Sequence, residues 1–333
     1  MKTIIIAEVG VNHNGKINLA KKMIRKAAEA GADFIKFQTY QTDALVTKNA
    51  KKANYQKFFL TEDENQYNML KKYELNFSQF IILKKECIKN KIRFLSSSFD
   101  IKSAKFLKKI GTSIFKIPSG EITNLPYLRY VGSQKKKVIL STGMSTLKEI
   151  SDAIKILISK GTKKKDITVL QCNTEYPTPY KDINLFGMLS IKKKFNINIG
   201  LSDHSSGIEV PIAAVALGAK VIEKHFTLDK NSLGPDHKAS IDFLELKKMI
   251  VSIKNIEKSL GDGVKKITKS EKKNIKSARK SLVAKIKIKK GEKFTYKNIA
   301  IKRPGNGISP MKIDFIIGKK ARKNFKKDEL IKK

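Results

Sequence analysis

Eight short apolar runs, rich in β-branched residues, alternate with amphipathic helical stretches over roughly the first 260 residues. The predicted strands are 3–7, 34–38, 93–96, 114–117, 138–141, 167–171, 198–201 and 221–225. Helical patterns between them include 18–30, 77–90, 102–109, 147–160 and 208–217. Eight strand–helix units in this length predict a (β/α)8 TIM barrel. A doubly wound open sheet is the alternative, but residues 8–15 lack its usual glycine-rich phosphate turn.

The carboxyl ends of the predicted strands carry polar or charged residues after an apolar body. Charges fall within the last strand residues at Lys36, Lys116 and Glu223. Because side chains alternate across a strand, Glu223 and His225 are expected on one face and Lys224 on the other. Functional groups of TIM barrels lie at this end of the strands, so one polar site is predicted there.

Two of the four histidines resemble metal ligands. His204 and His225 each follow a short apolar run, and Asp203 and Glu223 lie beside them in the sequence. Two imidazoles at adjacent strand ends can hold one divalent cation and leave positions open for substrate. The alternative is two separate histidines, each hydrogen-bonded within its own loop.

Lysines and hydroxyls at other strand ends suggest an anion pocket. Lys36 and Lys116 supply charge, and Ser97, Ser119 and Ser141 supply donors, which together suit a phosphate or a phosphate plus a carboxylate. Two alternatives remain open, because Lys116 could be a Schiff-base nucleophile, or both lysines could only pair with nearby acids.

Carboxylates in the same positions are candidates for proton transfer. Glu8 and Glu121 follow strands one and four, and either could bind a substrate hydroxyl or carry a proton. Asp236 and Glu223 could hold a water molecule or orient a ligand. His237 follows Asp236 directly and is expected to be structural.

The formal net charge of +40 raises the question of nucleic-acid binding. Only six of the basic residues are arginine, the residue that favours bidentate readout, and the lysines are spread over most of the predicted helices. No specific nucleic-acid function is therefore expected. No apolar run approaches a membrane span, and two cysteines make no disulfide framework, so a cytoplasmic protein is expected.

The pattern changes after the eighth unit. We predict a barrel catalytic domain over residues 1–262, a lysine-rich linker over 263–278 and a small β-rich domain over 279–333. The last segment is short for an independent core and is expected to need a partner surface.

Together these motifs resemble the sialic acid synthases, the family of N-acetylneuraminate synthase and its legionaminate and pseudaminate relatives. The resemblance covers nearly the whole chain, and the last domain looks like the family's antifreeze-like (SAF) domain. The matching segments are IAEVGVNHNG (6–15), KFQT (36–39), FKIPSGE (115–121), LSTGM (140–144), CNTEYPTP (172–179), GLSDH (200–204), EKHFT (223–227), GPD (234–236) and KRPGNG (302–307).

The resemblance implies condensation of phosphoenolpyruvate with an open-chain N-acetylated mannosamine, with Mn²⁺ or Mg²⁺ as the cofactor. It implies these roles: metal binding by His204 and His225; phosphoenolpyruvate binding by Lys36, Ser97, Lys116, Ser119, Ser141 and Thr174; sugar binding by Glu8, Glu121, Tyr176, Asp236 and Arg303; and catalysis by Glu8, Glu121, Glu223 and Asp236. The chain departs from the family at SSSF (96–99), where many members read STPF, and at Thr174, which is Asn or Ser in others.

Arg303 lies far in sequence from the barrel. In the family its counterpart reaches the partner subunit's site and contacts the acetamido group, which implies a domain-swapped homodimer here. The alternative is a surface arginine in a loop rich in glycine and proline.

The first functional hypothesis is N-acetylneuraminate synthase, which adds water and releases phosphate by C–O cleavage. The second is legionaminate synthase, acting on 2,4-diacetamido-2,4,6-trideoxymannose. Other classes are a Schiff-base aldolase using Lys116, a related 3-deoxyulosonate synthase, and a non-enzymatic anion-binding protein.

Overall fold

The computed structural model describes residues 2–52 and 65–332. The chain divides into two compact units, Met1–Leu260 and Gly261–Lys333.

The first unit is built on a closed barrel of eight parallel strands, each hydrogen-bonded to the next in sequence, with β8 returning to β1. The predicted TIM-barrel fold is therefore confirmed. The strands are β1 Ile4–Gly10, β2 Phe34–Thr39, β3 Arg93–Ser98, β4 Ile114–Ile117, β5 Lys137–Ser141, β6 Ile167–Cys172, β7 Asn198–Asp203 and β8 Val221–His225.

Helices follow the strands around the barrel. They are α1 Ile17–Ala30, α2 Thr42–Leu45, α3 Gln66–Tyr73, α4 Phe77–Lys89, α5 Ile101–Lys109, α6 Leu125–Ser133, α7 Leu147–Ser159, α8 Leu185–Phe195, α9 Glu209–Ala216 and α10 Phe243–Ser259.

Helix α7 shows how the sequence encodes these elements. It begins at a capping box, in which Thr146 and Glu149 each accept a hydrogen bond from the other's backbone N–H. Its buried residues, Ile150, Ala153, Ile154 and Leu157, recur at helical spacing and face the strands. Burying an aliphatic side chain of this size contributes roughly 1.5–3 kcal/mol, so the apolar face docks the helix.

The barrel interior has two layers, and the alternation of side chains along each strand creates them. The lower layer is an apolar cluster of Ile6, Phe34, Leu95, Ile114, Ile139, Leu170 and Val221. Two residues further along the same strands, and so on the same face, lie Glu8, Lys36, Ser97, Lys116, Ser141, Cys172 and Glu223. The apolar layer therefore closes the barrel beneath a ring of polar side chains.

Several strands are longer than the sequence predicts. The predicted strand 198–201 extends to Asp203, and the predicted strand 3–7 extends to Gly10. The prediction ended these strands near their first polar residues. In the structure the ladder continues, because inward-facing polar groups meet partners across the barrel.

The second unit contains helix α11 Asn274–Ala278, inside the segment predicted as a linker, and an antiparallel pair, β9 Ser281–Ala284 and β10 Ile299–Lys302. Its core is a separate cluster of Leu282, Ala284, Ile288, Phe294, Ile299, Ala321, Phe325 and Ile331. Among the described residues of both units, no helix is long and apolar enough to cross a membrane.

Candidate active site

A cavity of about 560 Å³ opens at the carboxyl end of the barrel. It brings together every site residue predicted from the sequence except Asp236 and Arg303. The predicted residues that line it are Glu8, Lys36, Ser97, Lys116, Ser119, Glu121, Ser141, Thr174, Tyr176, His204, Glu223 and His225.

Four charged side chains form an alternating chain across the cavity floor. Glu8 contacts Lys36. The Lys36 Nζ atom lies 3.7 Å from Glu223 Oε1, and the Lys116 Nζ atom lies 3.1 Å from the same oxygen. All four residues are buried. Because each buried charge has an opposite neighbour, the cluster is compensated before any substrate arrives.

The environment sets the protonation of these groups. Burial lowers the pKa of Lys36, against the attraction of Glu223. Burial also works to raise the pKa of Glu223, but Lys116 and Lys36 outweigh it and hold that pKa below its usual value. Glu223 is therefore a fixed anion. Burial raises the pKa of Glu121, and a hydrogen bond donated by Asn124 at 2.6 Å only partly offsets it.

The serines supply hydroxyls beside the lysines. Lys36 donates to Ser97 Oγ at 3.1 Å, and Ser119 Oγ accepts from the backbone N–H of Gly143 at 3.0 Å. A Cβ at residue 143 would lie 2.9 Å from Ser119 Oγ and 2.6 Å from Thr174 Cγ2, so this approach requires glycine. Ser141 Oγ is buried and has no hydrogen-bond partner among the described residues.

The two histidines predicted as metal ligands lie side by side. The ring centroids of His204 and His225 are 5.3 Å apart, and Tyr176 stacks on His204 at 4.1 Å. His204 Nδ1 lies 2.5 Å from the carbonyl oxygen of Asn173. Burial, reinforced by nearby cations, holds the pKa of His225 well below its usual range, so this imidazole is neutral.

These residues fit a metal ion. The Asn173 contact occupies Nδ1 of His204, whose side chain also hydrogen-bonds with Cys172, while buried Nδ1 of His225 has no hydrogen-bond partner in the described part of the chain. Residues 2–52 and 65–332 contain no group of three or more His, Cys, Asp or Glu side chains placed to hold a metal. The protein would thus supply two imidazoles and leave the other positions open.

Asp236 does not line the cavity. Its carboxylate lies beside His225, with Oδ2 3.9 Å from His225 Nδ1, and accepts a backbone hydrogen bond from Val11. Burial raises the pKa of Asp236 to about 6. Arg303 belongs to the second unit, where its Nε donates to the carbonyl of Ala278 at 3.1 Å.

Asp203 does not face the metal site, contrary to the grouping drawn from sequence. In the register of β7 and β8, Ser202 pairs with Glu223 and Asp203 pairs with Lys224. Ser202 Oγ donates to Glu223 at 2.9 Å inside the barrel, whereas Lys224 donates to Asp203 at 2.6 Å on the outer face. Strand alternation thus separates the two acids, as it was predicted to separate Lys224 from His225.

Sequence reasoning missed several cavity residues. Cys172 lies on the inner face of β6, and Ser119 Oγ is 3.7 Å from its sulfur. Burial works to raise the Cys172 pKa, but His204 and Lys116 bring it below its usual value. An apolar part of the lining comprises Leu45, Val46, Leu70, Phe99 and Met144. The sequence gives a signal for Cys172 alone among these residues, because it lies two positions after the apolar Leu170 and therefore on the same strand face.

Comparison with known proteins identifies the family of the chain. Residues 23–265 match the NeuB family, and residues 279–333 match the SAF domain. An N,N'-diacetyllegionaminic acid synthase of Campylobacter jejuni subsp. jejuni serotype O:2 is 53% identical over 334 residues, covering 99% of each chain.

More distant relatives carry related names. The human N-acetylneuraminate-9-phosphate synthase is 33% identical, covering 98% of this chain and 90% of that protein. A crystal structure of N-acetylneuraminic acid synthetase from Leptospira borgpetersenii serovar Hardjo-bovis, in complex with citrate, superposes with a TM-score of 0.72 at 36% identity, covering 83% of this chain and 90% of that one. The chain therefore belongs to the NeuB family of sialic-acid-type synthases, enzymes that form a carbon–carbon bond, and includes a SAF domain.

Proposed function

We propose that this enzyme condenses phosphoenolpyruvate with 2,4-diacetamido-2,4,6-trideoxymannose and water to give N,N'-diacetyllegionaminic acid and phosphate. The observation that carries the proposal is 53% identity to a legionaminic acid synthase along the full length of both chains. The comparisons favour this second hypothesis over the first, N-acetylneuraminate synthase, whose named human relative is 33% identical.

The anion pocket suits phosphoenolpyruvate. Lys36 and Lys116 bind its phosphate and carboxylate, and Ser97, Ser119, Ser141 and Thr174 add hydroxyl donors. The unpartnered Ser141 hydroxyl supports this role, because a buried hydroxyl without a partner costs free energy that a ligand can repay. Lys116 is already in a close ion pair with Glu223, which supports a binding role over that of a Schiff-base nucleophile.

His204 and His225 would hold the divalent metal, Mn²⁺ or Mg²⁺. When bound, the metal supplies Lewis-acid polarisation of the sugar aldehyde. Tyr176, stacked on His204, packs beside the sugar. Asp236 lies beside His225 and accepts a hydrogen bond from the backbone N–H of Val11, in the loop after β1.

The reaction joins C3 of phosphoenolpyruvate to the aldehyde carbon of the sugar. The aldehyde oxygen takes a proton and becomes a hydroxyl, water adds at C2, and the C2–O bond to phosphate breaks. Glu121, whose pKa is raised by burial, can hold and transfer a proton. Glu223, held ionised by Lys116 and Lys36, keeps these lysines in place as the charges of the substrate change, and Glu8 contacts Lys36 from its other side.

The apolar part of the cavity supports a deoxygenated sugar. Leu45, Val46 and Leu70 offer no side-chain hydrogen-bonding group to a sugar hydroxyl. A C6 methyl and an acetamido methyl can pack against these three side chains, which offer no partner to the additional hydroxyls of N-acetylmannosamine.

The direct test is phosphate release from phosphoenolpyruvate with Mn²⁺ and each of the two sugars. We expect kcat/KM for the diacetamido sugar to exceed that for N-acetylmannosamine by roughly 10–200-fold, the range for small differences in an apolar pocket. Equal or better turnover of N-acetylmannosamine would restore the neuraminate assignment. Turnover of neither sugar would refute the synthase proposal. Borohydride trapping of a pyruvate adduct would instead indicate the aldolase.

We also propose a domain-swapped homodimer in which Arg303 of one subunit contacts the sugar acetamido group in the other. Its basis is family resemblance and the exposed position of Arg303 in the SAF domain. Mixing His204→Ala chains with Arg303→Ala chains tests it. A swapped dimer regains activity in the mixture, because one intact barrel receives one intact arginine, whereas an unswapped arrangement leaves both chains inactive.

The expected location of the enzyme is the cytoplasm, where its two cysteines, both free, would remain reduced.

A further inference from the structure

The loop between β8 and α10 carries Asp236 with little regular structure of its own. Residues 226–242 include one short 3-10 turn, His237–Ala239. Backbone hydrogen bonds join the two ends of this loop, from Thr227 N to the Ile241 carbonyl and from Ile241 N to the His225 carbonyl, each at 2.9 Å. The middle of the loop therefore needs side-chain contacts to place one carboxylate beside His225.

Asn12, in the loop after β1, provides those contacts. Its side-chain Nδ2 donates to the carbonyl of Phe226 at 3.0 Å and to Ser240 Oγ at 2.8 Å. Ser240 Oγ in turn donates to the backbone carbonyl of Asp236 at 2.6 Å. One amide group thus ties the start of the loop to its end and, through Ser240, to Asp236.

The contrast between Nδ2 and Oδ1 of Asn12 indicates that the side chain acts as a hydrogen-bond donor. Asn12 is 1% exposed, and its Oδ1 has no hydrogen-bond partner among the described residues. A buried acceptor without a partner destabilises the fold, so an apolar side chain would fill this space at a lower cost in folding free energy than Asn12 does. The arrangement is explained by the two hydrogen bonds that its nitrogen donates.

The neighbouring backbone brings the same two elements together. Gly10 has φ +55°, and a Cβ there would lie 3.0 Å from Asp236 Oδ2 and 2.9 Å from His225 Cε1. The backbone N–H of Val11 donates to the Asp236 carboxylate. The loop after β1 therefore contacts both the carboxylate of Asp236 and the loop that carries it.

We propose that Asn12 is a positioning residue, which holds the two ends of the β8–α10 loop and thereby fixes the Asp236 carboxylate beside His225. This inference rests on the proposed function for its catalytic consequence. The predicted phosphoenolpyruvate contacts at Lys36, Ser97, Lys116 and Ser141 lie on β2 to β5, and those at Ser119 and Thr174 follow β4 and β6, so none of them lies in this loop.

The test compares Asn12→Ala with Ser240→Ala and with Asn14→Ala as a matched control. Asn14 lies in the same loop and also touches the β8–α10 loop, with Nδ2 donating to the exposed Leu233 carbonyl at 3.0 Å and Oδ1 3.5 Å from His237 Nε2, but it reaches neither Phe226 nor Ser240. We expect Asn12→Ala to lower kcat/KM for the diacetamido sugar roughly 100-fold, as misplaced catalytic groups do, with KM for phosphoenolpyruvate unchanged. Ser240→Ala, a smaller change that keeps the bond from Asn12 to Phe226, should lower it roughly tenfold, the effect of one hydrogen bond.

Hydrogen exchange provides a measurement that does not depend on activity. Asn12→Ala should accelerate amide exchange in residues 227–240 and leave β2–β5 unchanged, and Mn²⁺ should bind more weakly in a calorimetric titration. If Asn12→Ala impairs both substrates equally, matches Asn14→Ala, or leaves exchange in residues 227–240 unaltered, the inference is wrong. If the wild type turns over neither sugar, the proposed function fails, while exchange and metal binding still decide the role of Asn12.

Discussion

The two halves of the active-site cavity are positioned by different means. The proposed phosphate half consists of Lys36, Ser97, Lys116, Ser119 and Ser141, and most of these side chains point inward from the strands themselves. The proposed metal half consists of His204 and His225, with Asp236 beside them on a long loop that is contacted from another loop. Barrel register alone places most of the phosphate half, whereas the metal half also needs side-chain hydrogen bonds from distant sequence.

Removing the proposed metal ligands should distinguish the contributions of the two halves most clearly, because it should abolish turnover but not phosphoenolpyruvate binding. We expect the His204→Ala, His225→Ala double variant to lose nearly all turnover, and chelation of the wild type to do the same until Mn²⁺ is restored. Phosphoenolpyruvate binding, measured by calorimetry, should persist in the double variant because its predicted contacts come mainly from other strands. Turnover that survives both treatments would show that the metal half is not catalytic.

Removing one of the four alternating charges on the cavity floor should mainly lower the free energy of unfolding. Lys116→Met removes the cation 3.1 Å from Glu223 and should cost roughly 3–5 kcal/mol of unfolding free energy, as for other broken buried ion pairs. The paired Lys116→Met, Glu223→Gln variant should recover much of this stability in urea denaturation while remaining inactive. If the single variant is as stable as the wild type, the two groups are not coupled.

Ser141→Ala should give the smallest effect and the cleanest separation of binding from folding. The Ser141 hydroxyl is buried without a partner, so its removal should leave the free energy of unfolding unchanged or raise it by about 1 kcal/mol. The KM for phosphoenolpyruvate should rise roughly tenfold, as expected for one lost hydrogen bond, while the KM for the sugar stays constant. A loss of stability without a change in KM would mean that Ser141 serves the fold.

Much of the fold and of the cavity was readable from the sequence because both follow local periodicities. An apolar residue such as Phe34 followed two positions later by Lys36 indicates which face a charge shares, and eight such strands define the ring of groups. The pairing of Asp203 with Lys224 was not readable, because it depends on which strand face each acid occupies beyond the predicted strand end. The contact of Asn12 with Ser240 was not readable either, since 228 residues separate the two.

The glycine at position 10 limits how enzymes of this architecture can diverge. Any larger side chain there would be strained at φ +55° and would have to displace His225 and Asp236. Under the proposed function, changes in sugar preference are therefore expected elsewhere in the cavity lining, for example at Leu45 and Leu70. Evolution can then alter the product while the reacting end of the site stays the same.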